Sequence, residues 1–100
     1  VQPTILDLKH TLSQFKKWSK PRPKDTIVVI GPAKSYLLPE PFGVALVLSA
    51  WNAPVFTAIP PVASAIAAGN CIMLKPSEMS PNTSNLLKKL FDEYLDKDCY

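Results

Sequence analysis

The sequence is poor in the residues that build metal centres and phosphate loops. It has a single histidine, His10, and two cysteines, Cys71 and Cys99, with no CxxC and no Cys/His spacing, so a metal site is not expected. Its three glycines form no GxGxxG, no GxxxxGK[ST] and no GxSxG, which removes the usual phosphate-cradling glycine loop and the hydrolase nucleophile elbow. No block of like charge exists either. The net charge is +3, but the basic residues are spread along both ends, which argues against a nucleic-acid surface. So few cysteines suit a reducing compartment. No secretory signal is expected, because Asp7, Lys9 and His10 interrupt any apolar amino-terminal segment.

What is present is a long uncharged stretch from Pro41 to Leu74 in a chain of 100 residues, 47% of them hydrophobic. A run of this length raises the question of a membrane span. Asn52, Pro54, Pro60, Pro61, Gly69 and Asn70 interrupt it and would leave polar groups unpaired in lipid, so several short buried elements are expected instead. A domain of this size buries about 60–70% of its unfolded surface, enough for a modest core. The chain opens on Val1 rather than Met and ends on Cys99 and Tyr100 without a stop signal for its last element, which reads as a segment of a longer sequence.

Ile5, Leu8, Leu12, Phe15 and Trp18 recur at helical spacing, predicting an amphipathic helix over 4–18. The prolines and mixed charges of 19–25 predict an extended linker. "TIVVI" (26–30) is β-branched and reads as a short strand, and 35–41 as an edge strand, since its prolines cannot donate to a ladder. "GVALVLSA" (43–50) is apolar on both faces, as expected of a strand covered on both sides of a parallel sheet. A helix should follow from Pro54 to Ala68, kinked or divided by Pro60 and Pro61 and stopped by Gly69 in the left-handed position. A second buried strand over 71–75 and a helix capped near Ser80, with Leu86, Leu87, Leu90, Phe91 and Tyr94 on its apolar face, complete a βαβ pattern. The expected fold is α/β: part of a Rossmann-like parallel sheet with flanking helices, preceded by an amphipathic helix and an edge-strand segment. By domain, 1–25 form the helix and linker, and 26–100 the α/β portion, where the pattern of elements fits a sheet.

Ligands of open α/β sheets bind beyond the carboxyl ends of the strands, here Ser49 to Asn52 and Lys75 to Glu78. An ammonium at Lys75 can donate to one ribose hydroxyl while a carboxylate at Glu78 accepts from its neighbour. Such a carboxylate would also repel a 2′-phosphate and favour NAD over NADP. Blander roles remain open for each residue. Lys75 and Glu78 fit a solvated turn, Trp51 fits a core or rim aromatic, and Asn52 fits a cap on the following helix. Cys71 fits a small hydrophobe at the start of a buried strand, and His10 an exposed helix position.

The run "PEPFGVALVLSAWNAPVF", followed by "AIAAGNCIMLKPSE", resembles the cofactor-binding domain of the aldehyde dehydrogenases. "YLLPEPFGV" and "YLDKD" are most similar to the class 3 branch, the fatty and aromatic aldehyde dehydrogenases. The likeness is close over 35–98, and "FKKWSKP" agrees more loosely. It implies an NAD(P)-dependent oxidation of an aldehyde to a carboxylic acid, with Asn52 donating to the oxyanion. It further implies that Ser49, Ala50 and Trp51 pass beside the cofactor and that Lys75, Ser77 and Glu78 form the adenosine-ribose site. The nucleophilic cysteine, the general-base glutamate and the glycine motif near the nicotinamide are expected in sequence beyond Tyr100, so these residues alone should be inactive. Two departures stand out: Ala53 replaces a usual aromatic, and Pro60 precedes Pro61 where one proline is common. The resemblance also implies a homodimer and a cytoplasmic location, with membrane association only through a carboxyl-terminal anchor of the kind some class 3 enzymes carry. A stand-alone, non-catalytic nucleotide-binding or subunit-interaction protein would show the same motifs. A membrane-associated module resting on the uncharged stretch is a third alternative.

Overall fold

The computed structural model describes residues 1–27, 29 and 31–100. Among them the chain forms α1 (Gln2–Trp18), β1 (Arg22–Lys24), β2 (Ser35–Leu37), β3 (Val44–Leu48), α2 (Pro54–Ala67), β4 (Cys71–Lys75) and α3 (Pro81–Tyr94). β3 and β4 pair in parallel, with Val44 opposite Cys71 and Leu48 opposite Lys75, and α2 is the crossover between them. The fold is α/β, as the alternation of apolar runs and helical periodicity implies.

The register of the parallel pair is set at its amino end. α2 stops at Ala68, where Gly69 turns the chain with φ +84°, a conformation that glycine adopts without steric cost. The Gly69 and Asn70 N–H groups donate to the Ile66 and Ala65 carbonyls at 2.8 and 3.1 Å, a Schellman termination. Asn70 is buried, and its amide then joins three elements. Its Nδ2 donates to the Ala65 carbonyl at 3.2 Å, and its Oδ1 accepts from the Gly43 N–H at 3.1 Å. One residue on, the Cys71 N–H donates to the Gly43 carbonyl at 2.8 Å.

Val47, Val62 and Ile72 form the buried cluster, with Ala65, Ile66, Leu74, Phe91 and Tyr100 packed around it. Alternation along each strand puts Ala45, Val47, Ile72 and Leu74 on the helix-covered face. The opposite face is bare: Val44, Leu46, Leu48 and Met73 are each 60% exposed or more. The expectation of a strand covered on both sides is therefore met on one side only, because the one crossover helix and α3 both contribute to the same cluster.

Four local expectations change. The buried positions of α1 are Thr4 and Thr11, with Leu8 and Phe15 half-buried, whereas Leu12 is 70% exposed. The contact stripe is turned away from the one drawn through Leu12, because α1 packs on the alanine-rich surface of α2, where small side chains allow a threonine to approach closely. Residues 22–24, expected in a linker, are extended but paired, antiparallel to β2, with Pro23 opposite Tyr36. A proline is tolerated there because each strand has a free edge. Of the strand expected at 26–30, Val28 and Ile30 lie outside the described residues, and Thr26, Ile27 and Val29 belong to no strand. Thr26 instead braces β2, its hydroxyl donating to Ser35 Oγ at 2.9 Å and accepting from the Ser35 N–H at 3.1 Å. Pro60 and Pro61 do not divide α2, which runs as one helix despite the two missing donors.

Replacing Asn70 by alanine removes the partner of the Gly43 N–H and one of the two donors to the Ala65 carbonyl. Asn70→Ala in the full-length protein is expected to cost about 1–3 kcal/mol, read as a fall in the urea midpoint. Asn85→Ala, on the exposed side of α3, should stay within about 0.5 kcal/mol of the parent.

Candidate functional site

The parallel register carries both strands to a common end. The Ser49 N–H, one residue past β3, donates to the Lys75 carbonyl at 3.1 Å, so the 49–53 loop and the 76–80 turn leave the same edge of the sheet. Neighbouring strands stand about 4.8 Å apart, which makes the two segments adjacent walls of one rim.

On the first wall, Ala50, Trp51 and Asn52 are exposed. α2 starts at Pro54 with Ala53 in the capping position and no side-chain cap, so the Asn52 amide is not spent as a helix cap. The loop is held by Thr57, a residue the motifs did not single out. Its hydroxyl accepts from the Ala50 N–H at 3.2 Å and lies 3.1 Å from the Ala53 carbonyl and 3.2 Å from that of Ala50. A threonine in the first turn, four residues after Ala53, carries that signal: its hydroxyl can bond the carbonyl one turn back. Ser49 is half-buried, and its Oγ is enclosed without a hydrogen-bond partner among the described residues.

On the second wall, Lys75 Nζ and Glu78 Oε2 form an ion pair at 2.5 Å, both side chains largely in solvent. The hydrogen bond from Lys75 holds the Glu78 carboxyl below its ordinary range, helped by a backbone N–H and by the lysine's charge. Ser77 is buried. Its Oγ accepts from the Met79 N–H at 3.2 Å, and its carbonyl accepts from the Ser80 N–H and the Ser84 hydroxyl at 3.2 and 3.0 Å. It therefore shapes the turn that presents Lys75 and Glu78. Ser80 occupies the capping position of α3, but its side chain caps nothing, and its Oγ is buried without a partner among the described residues. An open cleft lies beside this wall, between Leu74 and Pro76 and the Ser84, Lys88 and Phe91 side chains of α3.

The cysteines lie elsewhere. Cys71 begins β4, four residues before the rim, or about 13 Å at strand rise. Among the described residues no group of three or more metal-binding side chains gathers.

Residues 4–99 match the aldehyde dehydrogenase family. The chain belongs to the aldehyde dehydrogenase family. It is 47% identical over 89 residues to aldehyde dehydrogenase family 3 member H1 of Arabidopsis thaliana, covering 89% of this chain and 18% of that protein. It is 41% identical over 100 residues to aldehyde dehydrogenase family 3 member A2 of Pongo abelii, covering 97% and 20%. The solved structure of a Staphylococcus aureus AldH in its substrate-bound state superposes with a TM-score of 0.93 at 34% identity, covering 99% of this chain and 22% of that one. Similarity to family 3 members agrees with the class 3 resemblance of "YLLPEPFGV" and "YLDKD". The chain spans about a fifth of the length of the curated aldehyde dehydrogenases it matches. Among the described residues no helix is long and apolar enough to cross a membrane, and one relative is named as chloroplastic.

The ion pair at the rim has a pH signature of its own. A depressed carboxylate pKa contributes stability that is present above the unfolded value and is lost as pH falls through the folded one. The Glu78 carboxyl should therefore titrate, by NMR, with a midpoint below its ordinary 4.5. In Lys75→Ala it should return toward that value, while global stability near neutral pH changes little because both side chains are exposed.

Proposed function

We propose that this chain is part of an NAD(P)-dependent aldehyde dehydrogenase that oxidises an aldehyde to its carboxylic acid. It supplies the oxyanion amide and the adenosine-ribose site, with residues 26–100 contributing to the dinucleotide-binding domain and 1–25 flanking it. The observation that carries this proposal is the shared rim: the loop bearing the exposed Asn52 and the turn bearing Lys75 and Glu78 both leave the carboxyl ends of two paired parallel strands.

The donor set suits a ribose. Lys75 offers ammonium hydrogens and Glu78 a carboxylate, side by side in solvent, matching one hydroxyl that accepts and one that donates. Ser77 acts here by fixing their turn, and Ser49, Ala50 and Trp51 form the wall along which the cofactor passes. The unpartnered Ser49 Oγ is a polar atom in that wall with capacity to spare. NAD(P)⁺, when bound, takes up the hydride of the aldehyde carbon.

Asn52 donates its side-chain N–H to the carbonyl oxygen of the aldehyde as negative charge gathers on it during thiolate attack. Thr57 fixes the loop that carries this amide, so the donor is organised before charge develops. The thiolate comes from elsewhere in the enzyme: Cys71 sits at the far end of β4 from Asn52, and the peptide of Cys99 lies beside Ile72 at that same end. The same proposal makes the enzyme a cytoplasmic homodimer, on the class 3 resemblance.

In the full-length enzyme, Asn52→Ala should lower the rate of acyl formation about a hundredfold, on the order of 3 kcal/mol, with NAD⁺ affinity nearly unchanged. Rapid-mixing measurement of NADH formation, paired with cofactor titration, separates the two quantities; equal losses in both would remove the oxyanion assignment. Glu78→Gln should weaken NAD⁺ binding and narrow the preference over NADP⁺, since the carboxylate no longer repels a 2′-phosphate. An unchanged cofactor ratio would remove the ribose assignment while leaving Asn52 untouched.

A further inference from the structure

β4 has two edges, and β3 takes only one. On the other, the Ile72 N–H donates to the Cys99 carbonyl at 2.9 Å, laying the turn after α3 alongside the start of the strand. That turn is held on its own account. The Cys99 and Tyr100 N–H groups donate to the Asp96 carbonyl at 3.1 and 2.9 Å, and the Asp98 N–H donates to Asp96 Oδ1 at 3.0 Å. Tyr100 packs against the Val47, Val62 and Ile72 cluster.

In parallel pairing, a bond from the Ile72 N–H to the Cys99 carbonyl sets Tyr100 opposite Ile72 and, one step back, Cys99 opposite Cys71. Lateral neighbours in a sheet are about 4.8 Å apart, inside the 4.4–6.8 Å Cα separation that disulfides span. Both cysteines are free and partly exposed.

We propose that Cys71 and Cys99 are a reversible dithiol/disulfide pair that fastens the turn after α3 to the first residue of β4. The oxidant class is a low-molecular-weight disulfide such as oxidised glutathione. One cysteine thiolate attacks it, forming a mixed disulfide and expelling one glutathione thiolate, and the second cysteine then displaces the other glutathione. Two protein thiols give up two electrons and two protons, and one glutathione disulfide becomes two glutathione thiols. Hydrogen bonding to the Cys71 thiol, then its charge, pushes the Cys99 thiol up, with burial, Asp96 and Asp98 adding to the effect. Because the thiolate is the attacking form, exchange through Cys99 should quicken as pH rises.

The pair serves no step of the proposed oxidation, and its test is independent of it. The full-length protein is equilibrated with oxidised glutathione, quenched in acid, digested without reduction and mapped by mass spectrometry. The expected product is the Cys71 peptide joined to the Cys99 peptide, two hydrogens lighter than the reduced pair and separated by dithiothreitol. Proteolytic cleavage after Lys97 in the native protein should slow several-fold on oxidation. In Cys99→Ser the linked species should vanish and glutathione should remain on Cys71. Mapping the parent protein needs no substitution, so poor folding of a variant cannot mask the result. Cysteines that stay free, that each end carrying glutathione, or that pair with other thiols would overturn the proposal.

Discussion

The buried amide of Asn70 is the constraint on which the arrangement depends. It answers a helix carbonyl with its nitrogen and a strand N–H with its oxygen, across a sequence gap that no local preference could close. Gly69 makes this possible by turning the chain sharply enough for the next residue to face inward. Once Asn70 is seated, β4 can begin only opposite Val44, and a parallel ladder of equal strands must end with Leu48 opposite Lys75. The site at one end of the sheet is therefore positioned by a polar contact at the other.

The rim is built from side chains rather than from a glycine loop. Its chemistry lies in side chains that project past the strand ends, and their supporting turns are tied by hydroxyls: Thr57 under the first wall, Ser77 and Ser84 under the second. Short polar side chains suit this work because they satisfy nearby backbone groups with little loss of rotamer freedom. The longer side chains, Asn52, Lys75 and Glu78, stand exposed on those turns. A bare apolar face on the sheet and the cysteine pair at its amino end are separate from that rim.

Much of the fold was legible in the residues. Helix and strand boundaries for Val44–Lys75 follow from punctuation by Pro54 and Gly69 and from two apolar runs of strand length, since these signals are local and strong. α1 was legible as a helix but not in its contact face. Hydrophobic spacing points to Leu12, whereas packing on small side chains favoured Thr11, and only the partner's surface decides that. The pairing of Arg22–Lys24 with Ser35–Leu37 was hidden for the opposite reason: charge and proline mark a linker, and an edge ladder tolerates both. At the rim, Ser77 reads as one more polar residue of the motif, and its burial beneath the turn follows from hydrogen bonds to residues two to seven positions on.

The sequence by itself determined the kinds of element, their order, the α/β class and the family, because these are written in short-range pattern and motif spacing. The tertiary structure alone decided the register that brings the 49–53 loop and the 76–80 turn to one end of the sheet, the face α1 buries, and the bond that lays the Cys99 carbonyl against Ile72. Each of these depends on which distant groups satisfy one another once water is excluded, and a one-dimensional pattern holds no record of that choice.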